Sequence, residues 1–209
     1  MGFLRVRFLL LAALVACSGS ATVDGSSGSG GSSASQSASR SASSGGNRFG
    51  ACDGPGQCTL AWPGCCAGCN TPTLADLVPV AFEHLTEFQR QQCPAPEPCP
   101  GCVGCPNGEL FAYCDSGQCT GTSLSQAGLT ECMRTAECKL RWGSSCYEEC
   151  GGPTECGTLT AINIEAEGRL AQMVCDPDMP PPPPCVPTYP DNARAECVKG
   201  RCMAIVEGP

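Results

Sequence analysis

The chain has 209 residues, among them 21 Cys, 26 Gly and 19 Pro, and only 5% are aromatic. That leaves too little apolar bulk for a large core, and cysteine at roughly a tenth of the chain belongs to the range of disulfide scaffolds. The formal net charge of −8 repels phosphate backbones and anionic surfaces, which argues against nucleic acid as a partner.

The chain opens MGFLRVRFLLLAALVACSGS. Arg5 and Arg7 form a positive start, and Phe8 to Val15 is an unbroken apolar run, long enough for the core of a signal peptide and too short to span a bilayer. Val6 stands where myristoylation requires Ser or Thr. The run closes with Leu14-Val15-Ala16-Cys17. This resembles the lipobox of bacterial lipoprotein signals, which is Leu, two small residues and Cys; the resemblance covers these first residues only. It implies that residues 1–16 are a signal peptide and that Cys17 becomes the lipidated N-terminus. In that family an Asp after the cysteine retains the protein at the inner membrane. Ser18 is not that Asp, so the resemblance favours the outer membrane. The competing reading is an ordinary secretory signal cut a few residues later. Either way the chain is exported to a compartment where disulfides persist. Loss of Arg5 and Arg7 takes the net charge to about −10. With Cys17 given to lipid, an odd cysteine count becomes an even 20, all able to pair.

From Ser18 to Asn47 the chain is almost wholly Ser, Gly and Ala. Such a segment cannot bury apolar surface and reads as a disordered tether, with a reach of roughly 30 Å. Residues 17–49 are therefore read as lipidated cysteine plus spacer.

After Arg48 the chain repeats itself. Cys52 and Cys58 match Cys132 and Cys138; Trp62 matches Trp142; Cys66 and Cys69 match Cys146 and Cys150; Cys93 and Cys102 match Cys175 and Cys185; Cys114, Gly117 and Cys119 match Cys197, Gly200 and Cys202. Eight cysteines, a Trp and a hairpin Gly recur in order at offsets of 80 to 83, which reads as a tandem duplication. The units are placed at 50–126 and 127–209.

Within a unit, TLAW (from Thr59) and KLRW (from Lys139) alternate as strands with Leu and Trp inward. A helix is expected next. In the first unit Pro79 sits at its first turn, with Phe82, Leu85, Phe88 and Gln89 following. In the second unit it covers Ala161 to Cys175, with Ile164 and Leu170 on one face. Glu83 and Glu165 coincide near its start, where the helix dipole favours an acid. Proline-rich loops follow, PAPEPCPG and DPDMPPPPP, the run Pro180 to Pro184 reading as polyproline II. A hairpin with a four-residue loop closes each unit, LFAYC-DSGQ-CTGTSL and NARAEC-VKGR-CMAIV. The expected fold is a small disulfide-rich α+β protein: two tandem β-α-β-β units behind a disordered Ser/Gly tether. A lipoprotein with tandem eight-cysteine units resembles exported proteins of myxobacterial type, a resemblance that carries no activity with it.

The cysteine clusters admit metal readings. Cys66-x2-Cys69 with Cys102-x2-Cys105 has zinc-ribbon spacing, and Cys99-x2-Cys102-x2-Cys105 has iron–sulfur spacing. The second unit tests both. It keeps Cys146-x3-Cys150 and, of the triplet, only Cys185, so it could not build a four-ligand site. Disulfides are therefore expected for the framework, with no metal and no cofactor, and a redox-active pair lacks the thioredoxin-like βαβ frame it needs. Connectivity is not readable, since eight cysteines allow 105 pairings. Cys65, Cys99 and Cys105 are extra in the first unit and Cys156 in the second. Each unit then has an odd count, which calls for a bridge from Cys156 to Cys65, Cys99 or Cys105.

No catalytic device stands out. The lone histidine, His84, is matched by Ala166 and reads as a solvated helix residue. Trp62 and Trp142 read as core. There is no Gly-rich phosphate loop and no calcium loop. The expected function is a cell-envelope-anchored binding or structural module and not an enzyme. Its expected partners are the membrane, through the anchor, and an extracellular or envelope protein. Two alternatives stand beside it: a protease inhibitor presenting the proline-rich loops, and a metal-binding protein using the first unit's cysteine clusters.

Overall fold

The computed structural model describes residues 47–95, 99, 105–148, 158–183 and 186–208. Cys17, most of the tether, Cys102, Cys150, Cys156, Pro184 and Cys185 lie outside the described residues.

The first half begins with strands β1 (Cys58–Ala61) and β2 (Val78–Ala81), paired antiparallel. A 3-10 turn over Phe82–His84 leads into helix α1 (Leu85–Gln92), and strands β3 (Leu110–Asp115) and β4 (Gln118–Ser123) form a hairpin. The second half runs through β5 (Cys138–Trp142), β6 (Leu159–Asn163), a 3-10 turn over Ile164–Ala166, α2 (Glu167–Val174), β7 (Ala193–Val198) and β8 (Arg201–Val206). The described strands form four two-stranded antiparallel sheets. The class is small, disulfide-rich α+β.

Each half is therefore strand-strand-helix-strand-strand, one strand more than the expected β-α-β-β order. The extra strand takes the start of the expected helix. Pro79 lies in β2 opposite Leu60, and the helix begins only at Leu85. In a two-stranded sheet every strand is an edge, so a missing N–H is tolerated, and the flanking Val78 and Val80 favour extended backbone. In the second half Ala161 to Asn163 is strand, and Asn163 ends it by accepting the Glu165 N–H at 2.8 Å. Ile164, expected beside Leu170 on the inner face, is 48% exposed, whereas Leu170 is buried. The closing hairpins are tighter than expected. Asp115 pairs with Gln118 and Val198 with Arg201, leaving two-residue loops. Ser116 and Gly117 (φ 51° and 81°) and Lys199 and Gly200 (φ 51° and 79°) supply the two positive φ values of a type I′ turn.

Disulfides replace a large core. Cys52–Cys114 and Cys58–Cys119 tie the first half's N-terminal segment to its hairpin, and Cys132–Cys197 with Cys138–Cys202 do the same in the second. The helix ends are pinned by Cys65–Cys93 and Cys146–Cys175. Cys66, read as the counterpart of Cys146, pairs instead with Cys99. Two adjacent cysteines diverge to different partners, and spacing does not show which one meets the helix end. Cys69 and Cys105 are disulfide-bonded as well. Each such link contributes about 2–4 kcal/mol by restricting the unfolded chain.

The largest apolar cluster joins both halves: Phe111 and Leu124 pack with Leu129, Ile162, Ala166 and Leu170. Helix α2 thus covers the Phe111 face of hairpin β3–β4. The corresponding positions of β7, counted from Cys114 and Cys197, are Arg194 and Glu196 in place of Phe111 and Tyr113. Arg194 pairs with Glu196 (2.6 Å) and with Glu207, so that hairpin face meets water. At the opposite end, α1 carries Gln91 and Gln92 where α2 has Met173 and Val174, and Arg48 bonds Gln91 while lying over the Phe49 ring. Polar residues close both ends of the stack, as terminal units of a repeat array require.

Candidate functional site

The halves meet through backbone contacts that tolerate no side chain. A Cβ on Gly56 would fall 2.4 Å from the Asp176 backbone nitrogen, and one on Gly108 would fall 2.4 Å from the Thr158 carbonyl oxygen. Ser144, itself buried, donates its hydroxyl to the Leu110 carbonyl at 2.7 Å. These contacts hold the second half against the first.

Between them the seam leaves a cavity of about 590 Å³, lined from the first half by Trp62, Phe82 and Phe111 and from the second by Tyr147, Asp176 and Met179. This lies within the 300–1,000 Å³ typical of small-molecule sites, whose walls are likewise mainly apolar with a few polar groups. Phe82 and Met179 are more than half exposed, so the walls are apolar groups already facing water. Three of the polar side chains on the described walls are internally engaged. Ser144 is bonded to Leu110, the Ser145 hydroxyl donates to the Tyr147 carbonyl at 2.7 Å, and the Asn107 side chain bridges the Pro72 carbonyl and the Glu109 N–H. Asp176 is the one ionisable acid on the described walls, and no Lys, Arg or His stands among them. Its Oδ1 accepts the Asp178 N–H at 2.9 Å.

The two tryptophans, expected to be equivalent core residues, are used differently. Trp142 is buried, stacks on Tyr189 with ring centroids 6.0 Å apart, and donates its indole N–H to the Thr188 carbonyl at 3.0 Å. Tyr189 in turn donates to Glu148 Oε1 at 2.6 Å. Burial, then the Glu148 carboxylate, push the Tyr189 phenol well above its ordinary range. Beside this, buried Arg141 bonds the carbonyls of Gly143 and Ser145 and shares Glu167 with Lys139. The first half has Ala61 and Ala67 at the places of Arg141 and Glu148, so nothing equivalent fixes Trp62. Trp62 is half-buried, lies against Gly68, and its indole N–H has no hydrogen-bond partner among the described residues. Its ring faces the cavity free of the duties that hold its counterpart.

Of the residues singled out from sequence, Cys58, Cys105 and Cys146 reach the cavity wall as disulfides. Trp62 and Phe82, read as core and as helix, also line it, Asp176 and Met179 come from the start of the DPDMPPPPP loop, and Tyr147 carried no motif. The usable signal was mismatch between the units: an aromatic facing a charge, as at Phe111 and Arg194, marks a face buried in one copy and exposed in the other.

The metal readings meet a chemical obstacle. Cys66 and Cys99 are bonded to each other, and Cys69 and Cys105 are also in disulfides, while a metal ligand must be a thiolate. Two other sulfur groups converge within 4.8 Å, Cys52 with Cys58 and Cys119, and Cys132 with Cys138 and Cys202. They arise because Cys114 faces Cys119, and Cys197 faces Cys202, across the hairpins, and each of these sulfurs is also disulfide-bonded. His84 lies 3.4 Å from Glu83, on the helix entry and away from the walls of the cavity.

No family model, curated protein or solved structure matches the chain. No helix among the described residues is long and apolar enough to cross a membrane.

Proposed function

We propose that this protein is an exported binding module, lipidated at Cys17 and held off the outer membrane by its Ser/Gly tether, which takes a small molecule into the seam cavity. The observation that carries the reading is the cavity itself: about 590 Å³ with mainly apolar walls, Phe82 and Tyr147 exposed among them, contributed by both halves of a disulfide-rich scaffold. Disulfides in this number suit an oxidising compartment. Preorganisation by disulfides suits binding, because a stapled site loses little conformational freedom on taking its ligand. The recurring element order and the equivalent disulfides support a duplicated origin, with the seam as the feature that two copies make and one does not. No catalytic step is assigned.

The experiment is a thermal-shift screen on the oxidised Cys17→Ser chain without residues 1–16, which carries no lipid, against small neutral, cationic and anionic organic molecules. A ligand that binds the folded state raises the melting temperature with its concentration. At least one class should do so, and Trp62→Ala should abolish the shift. A screen silent for every class, or shifts unaffected by Trp62→Ala, overturns the reading. Metabolic labelling with a radioactive fatty acid tests the anchor: label on the wild-type chain and none on Cys17→Ser is the expected result.

A further inference from the structure

We infer that the ligand of the seam cavity is a small organic cation with an apolar body, such as a quaternary ammonium or an aromatic amine. The inference rests on the binding reading above and adds the ligand's chemical class.

Three observations carry it. The first is the concentration of aromatic rings. The chain has 11 aromatic residues, and four line this one cavity, with Phe82 and Tyr147 exposed, Trp62 half-buried and Phe111 buried behind them. Ring faces carry negative potential and attract cations, most strongly when the cation gives up its water among them. The second is the sign of the wall. Among the described wall residues Asp176 is the sole charged group, and none of them is basic. Its Oδ2 has no hydrogen-bond partner among the described residues, since Oδ1 alone takes the Asp178 N–H. An anion would find no counter-charge here. The third is the engagement of Ser144, Ser145 and Asn107 with backbone groups. Three of the wall's polar side chains are thus already committed, and among the described residues the Asp176 carboxylate is the one charged group left to meet a ligand. The net charge of −8 also draws cations toward the surface.

The test uses three probes of similar size on the oxidised Cys17→Ser chain without residues 1–16: benzyltrimethylammonium, its neutral carbon isostere neopentylbenzene, and benzenesulfonate. Calorimetry should show the cation binding about tenfold tighter than the isostere, the scale of one charged interaction, with benzenesulfonate not binding. Asp176→Asn should bring the cation's affinity down to the isostere's, while Asp191→Asn, in an exposed turn, leaves it unchanged. The comparison of cation with isostere needs no variant, so it stands if Asp176→Asn does not fold. Equal binding of the cation and the isostere overturns the charge preference and leaves the binding reading intact. Tighter binding of benzenesulfonate overturns the inference outright. Silence from all three overturns it too, and the wider screen then decides whether the binding reading survives.

Discussion

Gly56 and Asp176 touch backbone to backbone across the seam: a Cβ on the glycine would lie 2.4 Å from the Asp176 nitrogen. Gly56 also has φ +76°, where a side chain is strained whatever the space around it. Gly56→Ala should therefore cost about 1–3 kcal/mol from overpacking, with the left-handed backbone adding to it. Gly54→Ala, with open space at its Cβ, is the control and should change little. Melting temperatures of the two variants check this, and an unchanged Gly56→Ala would mean that the halves are not held in contact there.

The Trp142–Tyr189–Glu148 network predicts an alkaline sensitivity. Folding raises the Tyr189 pKa by burying the phenol and setting it against Glu148. A group held protonated in the folded state lends stability that is complete below its unfolded pKa and declines as pH rises past it, above about 10 for tyrosine. Tyr189→Phe should lose about 1–3 kcal/mol at neutral pH, because the Glu148 carboxylate loses a short hydrogen bond. It should also flatten the alkaline decline of the melting temperature. A variant with the wild-type alkaline profile contradicts the assignment.

The disulfides make a prediction about the residues that spacing left open. Cys65 pairs with Cys93 and Cys99 with Cys66, so of the three candidates for a bridge to Cys156 two have other partners, and the disulfide of Cys105 is the one that could be that bridge. Cys156 itself lies outside the described residues. Tandem mass spectrometry of the non-reduced chain should recover the Cys66–Cys99 link and a Cys105–Cys156 cross-link between the halves. Cys105 bonded to Cys69 or Cys102 contradicts the cross-link.

Much of the fold was legible in the sequence. The hairpins were legible through Cys114-x2-Gly117-x-Cys119 and its copy, but not their loop length, because pairing runs on to Asp115–Gln118 and Val198–Arg201 and leaves two residues in each turn. The strands before the helices were hidden for a local reason. VPVAFEHLTEFQ reads as one amphipathic run if Pro79 is taken as a helix start, and only pairing with Thr59 and Leu60 on a distant strand makes it extended. The seam was hidden for a different reason. Each unit by itself looks complete, and the burial of Phe111 beneath α2 is a property of the pair. The cavity follows from that pairing, so no motif within one unit could report it.

The central claim is that the cavity, and Trp62 within it, is where this protein binds. The chain has two tryptophans, so a two-dimensional ¹H–¹⁵N spectrum of the oxidised chain shows two indole N–H signals, one from Trp62 and one from Trp142. On titration with benzyltrimethylammonium the Trp62 signal should move in a saturable way, while the Trp142 signal, fixed on Thr188, stays in place. If Trp62 is unmoved while other signals shift, or if Trp142 moves in its stead, binding lies elsewhere and the account of the seam cavity is wrong.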